Sequence, residues 1–146
     1  MQDMTIRTPL LVATIGGHAF RFFRPPDNVP DLPWHAIDDL HRCLGLNRDG
    51  RRLFLRKLRS AEWSTTLRTI ATADGVVTIA PHYMAKGTIS AMVSEGDAPS
   101  NIRDEYDDAA TDAIKELMKP FPFASDAWFN YMRAAMHRYD DDPSAA

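Results

Sequence analysis

The chain has 146 residues, 45% hydrophobic and 25% charged, a composition that fits one folded domain of ordinary size and excludes wholesale disorder. The longest apolar stretch, Leu10 to Ile15, is far short of the ~20 residues of a membrane span. Met1-Gln2-Asp3-Met4 lacks the basic-then-apolar order of a signal peptide, and the single cysteine, Cys43, excludes an internal disulfide. A cytoplasmic protein with no membrane partner is expected. Net charge is −3, yet residues 1–86 hold 12 Lys/Arg against 8 Asp/Glu and residues 87–146 hold 5 against 12. Such a split suggests two surfaces with different partners, or halves that attract each other in the fold.

In chain order, Leu10–Ile15 and His18–Phe23 flank Gly16-Gly17, a pair suited to the positive φ angles of a two-residue hairpin turn. A connection with four prolines in nine residues, Pro25 to Pro33, reads as a stiff surface loop. Helical spacing is then predicted over Trp34–Leu44, with Ile37, Leu40 and Leu44 on one face, Asp38 and Asp39 early, and Gly45 to end it. Asn47-Arg48-Asp49-Gly50 reads as a turn before a second helix from about Gly50 to Ser60. On a helical wheel Phe54, Leu55 and Leu58 share one side. Arg48, Arg52, Arg56 and Arg59 fall within an arc of about 80° beside them, with Arg51 and Lys57 off the stripe. Two short helices joined by a glycine-containing turn, the second basic, have the outline of a helix-turn-helix.

A second hairpin is predicted from Leu67–Thr72 and Val76–Ala80 around Ala73-Asp74-Gly75, with Pro81 opening a helix over His82–Val93. Beyond the break Gly96–Pro99, Ser100 is expected to cap a helix reaching about Met118. Its buried face carries Ile102, Tyr106, Ala109, Ala110, Ala113 and Leu117, and its exposed face Asp104, Glu105, Asp107, Asp108, Asp112 and Glu116. After Pro120-Phe121-Pro122-Phe123, Ser125 caps a last helix, Asp126–Tyr139, with Trp128, Phe129, Tyr131, Met132 and Met136. Core packing is the simpler expectation for most of these, and a homodimer contact the other. The expected class is α+β: two hairpins in a small antiparallel sheet, packed with the helix-turn-helix-like pair, in residues 1–96. Residues 97–146 then form a helical extension on that unit.

No catalytic pattern stands out. Gly16-Gly17 lacks the lysine and the strand-loop-helix order of a phosphate loop, and no nucleophile elbow is present. His41 and Cys43 have no second cysteine to complete a zinc site, and Asp38-Asp39 fits a helix N-terminal charge pair better than a metal site. Neither an enzyme nor a metal or cofactor is expected.

The order of elements, with Pro33-Trp34, Ala36, Asp39-Leu40 and Leu44-Gly45 in the first long helical segment, resembles the BRO-N domain over about Leu10 to Glu95. That family is common in bacteriophage antirepressor-like proteins and in large DNA viruses. The resemblance implies DNA binding by this part of the chain, a phage or prophage origin with a bacterial host cytoplasm as location, and a regulatory role. It implies no catalytic residue. Contacts to duplex DNA are expected from Arg48, Arg51, Arg52, Arg56, Lys57 and Arg59. The simpler alternative is that these cations pair with the acidic helix. The other functional expectation is a phage-encoded inhibitor, anti-CRISPR-like, of a host defence or nucleic-acid-processing complex. It would present Asp104, Glu105, Asp107, Asp108 and Asp112, with Asp140-Asp141-Asp142 as a further acidic tail.

Overall fold

The structure, a computed structural model, describes residues 5–58 and 66–138. Leu11–Ile15 (β1) and His18–Phe23 (β2) pair antiparallel, Ile15 opposite His18. Gly16 and Gly17 adopt φ of 58° and 79°, the backbone a two-residue turn needs if it is to match strand twist. The second hairpin, β4 (Arg68–Thr72) with β5 (Gly75–Ala80), closes around Ala73-Asp74; Gly75 is already the first residue of β5.

Trp34–Ala36 is a strand, β3, and not the first turn of a helix. It pairs antiparallel with β2 on one side and with β5 on the other, giving one five-stranded antiparallel sheet of order β1-β2-β3-β5-β4. The helical spacing begins only at Ile37, so it placed no constraint on the three residues before it. Pairing them inside the sheet satisfies the facing edges of both hairpins. Helix α1 therefore runs from Ile37 to Cys43. It ends at Gly45 (φ 71°), with Gly45 N donating to Arg42 O and Leu46 N to His41 O, the paired bonds of a glycine-terminated helix. The proline-rich connection is exposed at Asn28, Val29 and Pro30, but its end is internal, Asp31 and Pro33 being buried.

After α2 (Arg48–Leu58) and the second hairpin come α3 (His82–Ser94), α4 (Ser100–Met118) and α5 (Asp126–His137). Ser100 does not cap α4. The N-cap is Pro99, without a side-chain hydrogen bond, and Ser100 is the first helical residue. Ser125 does cap α5, its Oγ accepting from Trp128 N at 3.2 Å.

Alternation along the strands sends side chains to two faces. On one, Ile15, Phe20 and Phe22 join α1, α3 and α4, with Tyr106 set against both phenylalanine rings. Ile102, Ala109, Ala110 and Ala113 belong to this same cluster, so α4 completes the core of the sheet. On the other face Phe23, Trp34, Ala36, Ile70, Val77 and Ile79 pack together. Where the first hairpin turns, a Cβ on Gly16 would lie 2.8 Å from Ile102 Cδ1 and 2.9 Å from the Cys43 carbonyl oxygen. Gly16→Ala therefore combines a left-handed backbone with a clash against fixed backbone, and is expected to lower stability by about 2–3 kcal/mol in chemical denaturation.

Two buried carboxylates tie these layers together. Asp39 accepts from Arg21 N (2.9 Å), Nε (2.8 Å) and a terminal guanidinium nitrogen (3.0 Å), and from Arg42 at 3.2 Å, joining α1 to β2. Asp31 accepts from Leu32 N and Trp34 Nε1, both at 2.8 Å, and from Arg138 at 3.1 Å, while its carbonyl accepts from the Tyr131 hydroxyl at 2.9 Å. The proline-rich loop is thereby fastened to α5.

Candidate nucleic-acid interface

Helix α2 starts two residues earlier than its glycine suggests. Asn47 Oδ1 accepts from Gly50 N at 2.8 Å, the bond of an asparagine N-cap, and this makes Arg48 helical. Asp49 in the first turn suits the helix macrodipole. Phe54 holds the helix to the body: it packs on Ile37, Ala80 and Met84 beside Leu67 and Tyr83, and meets the His41 ring edge-on at 4.7 Å.

With Phe54 turned inward, Arg48, Arg52 and Arg56, spaced i, i+4 and i+8, stand exposed, and Arg51 is half-buried next to them. Leu53 is exposed as well. Lys57 lies within α2, its side chain outside the described part of the structure, and Arg59 lies outside the described residues. Among the described residues, Arg48, Arg51, Arg52 and Arg56 form no ion pair and no side-chain hydrogen bond. The acidic helix does not neutralise them. On α4, Asp107 pairs instead with Lys86 of α3, and Glu105 accepts from Asn101 at 3.0 Å, while Asp104, Asp108 and Asp112 are exposed. The two helices also anchor in different clusters, α2 against Ile37, Ala80 and Met84 and α4 against Ile15, Phe20 and Phe22.

Two histidines are buried nearby, His41 directly against Phe54 of α2 and His35 in β3. Burial, with the Arg51 charge close by, pushes His41 down to about 4 from an ordinary 6.5; burial pushes His35, stacked on Phe20, down to about 3. His82 is shifted the same way by burial. Both His35 and His41 are thus neutral in the folded protein, whereas the unfolded chain takes up protons below about pH 6.5. Their contribution is complete above that pH and is lost as pH falls toward the folded values. Unfolding free energy is expected to drop by about 3 kcal/mol between about pH 7.5 and 5.5, roughly 1.4 kcal/mol per ring, in urea titrations. Protonating His41 would set a buried cation under the arginine helix.

Cys43 is internal, its Sγ donating to Leu40 O at 3.1 Å, and burial pushes the thiol up to about 12, which leaves it unreactive at neutral pH. A cleft of about 500 Å³ opens elsewhere, among Asp31, His82, Lys86, Asp107, Ile114 and Met136, with no lining from α2 among the described residues. Of these, only Asp107 belongs to the acidic face expected from the sequence; His82, whose Nδ1 is 2.8 Å from the Tyr106 hydroxyl, and Lys86 carry no local signal that would mark them. No helix among the described residues is long and apolar enough to cross a membrane.

No protein-family model, curated protein or solved structure matches the chain.

Proposed function

We propose that this protein binds duplex DNA through α2, as a regulatory protein of phage or prophage type. The observation that carries this reading is the exposed row Arg48, Arg52, Arg56, with Arg51 beside it, on a helix that no acidic side chain neutralises among the described residues. Guanidinium groups one helical turn apart suit successive phosphates, and each phosphate neutralised releases counterions. The short α1, a turn containing Gly45, and the basic α2 follow the helix-turn-helix outline. The resemblance to the BRO-N domain points the same way.

A backbone NMR titration with a short duplex tests the placement. Shift changes concentrated in residues 47–58 are expected; changes confined to α4 or α5 would remove α2 from the interface.

A second reading, the protein-interaction inhibitor, draws on Asp104, Asp108 and Asp112, exposed at i, i+4 and i+8 of α4 without an ion pair among the described residues. Its test is retention of one stoichiometric partner from bacterial lysate. Charge reversal at Asp104, Asp107 and Asp108 is expected to abolish retention, and retention that survives the reversal counts against this reading.

A further inference from the structure

Helix α5 has two apolar stripes, and the fold uses one. Trp128, Tyr131, Ala135 and Arg138, at i, i+3, i+7 and i+10, form the first: Ala135 is buried, Tyr131 and Arg138 bind Asp31, and Trp128 is half-buried. The second stripe, Phe129, Met132 and Met136, lies about 115° around the helix. Phe129 is 48% and Met136 60% exposed, and a groove of about 430 Å³ runs among Phe129, Met132, Arg133, Met136 and His137. The Phe129 ring is held edge-on against Trp128, centroids 5.1 Å apart, so the stripe is preformed. Phe123, 84% exposed, extends it through its own edge contact with Trp128. An exposed apolar strip of this kind on a charged surface marks a contact site.

We infer that the occupant is a second copy of this chain, with the two α5 helices packed antiparallel about a two-fold axis beside Met132. The stripe is self-complementary under that operation. Phe129 of each copy then sits level with the gap between Met132 and Met136 of the other, knob into hole. The flanks agree in charge. Asp126 near the start of α5 and Arg133 near its end are both exposed, on the same side of the stripe, and neither is ion-paired among the described residues. Antiparallel packing sets each Asp126 on the same flank as the second copy's Arg133, about five residues (roughly 7.5 Å) apart along the axis and within the span of the long arginine side chain, whereas a parallel two-fold pair would place them on opposite flanks.

Sedimentation equilibrium of the full chain without nucleic acid, from micromolar to hundreds of micromolar, tests this. A monomer–dimer equilibrium is expected, with Phe129→Glu and Met136→Glu each raising its dissociation constant by roughly a hundredfold. Both sites are exposed, so an unchanged circular dichroism spectrum will separate this from unfolding. Asp126→Arg should weaken the dimer, and adding Arg133→Asp should restore it. A chain that stays monomeric throughout, a dimer indifferent to both glutamates, or a charge swap that fails to restore association would each overturn the inference. Because the assay contains no DNA, its outcome is separate from that of the α2 reading.

Discussion

Replacing Arg48, Arg52 and Arg56 together by alanine is expected to weaken binding to duplex DNA by at least roughly a hundredfold at about 50 mM salt, with little change in stability. All three side chains are exposed, and among the described residues none makes an ion pair or a side-chain hydrogen bond. Their removal therefore breaks nothing inside the fold, and alanine is the better helix former. Three lost phosphate contacts should also lower the slope of log affinity against log salt by about 3. Fluorescence anisotropy with a labelled duplex measures both quantities. Full affinity in the triple variant would mean that DNA, if bound, is held elsewhere.

Replacing Asp39 by alanine is expected to cost about 3–5 kcal/mol, seen as a lower midpoint in urea unfolding. Its carboxylate is 1% exposed and receives three bonds from Arg21, whose side chain is only 18% exposed. Removing it leaves a largely buried guanidinium and a strand N–H without their acceptor. Arg42 contributes less, because its side chain is half exposed. The decisive control is Arg21→Met with Asp39→Leu. Removing both charges should return much of the loss, because a buried pair adds little over well-packed apolar groups while a lone buried charge is costly.

What could be read from the sequence was what depends on near neighbours. Gly16-Gly17 and Asp74-Gly75 marked both hairpins, since a turn's backbone angles are decided by its own residues. The i, i+4, i+8 spacing of Arg48, Arg52 and Arg56 showed their shared stripe for the same reason. Long-range pairing was hidden. Three residues of β3 have no periodicity of their own, and their strand character comes from Phe22, Phe23, Ile79 and Ala80 on either side. Asp39 read as a helix-start charge, although its partner Arg21 stands 18 residues earlier. Asp31 sat in what read as a surface loop until Arg138, 107 residues on, came to meet it. The α5 aromatics were expected mainly in the core, yet Phe129 and Met136 are exposed because the stripe of Tyr131 and Ala135 had already taken the inner side. Whether the arginines were covered depended on where α4 packs, which no local pattern reports.

The central claim is that α2 neutralises DNA phosphates, and a salt titration of wild-type binding to a random-sequence duplex addresses it most directly. With six cations engaged, Arg48, Arg51, Arg52, Arg56, Lys57 and Arg59, affinity should be micromolar or tighter at about 50 mM salt. It should fall about a thousandfold by about 200 mM, a log–log slope near −5. No measurable affinity at the lower salt, or a slope near zero, would contradict the account.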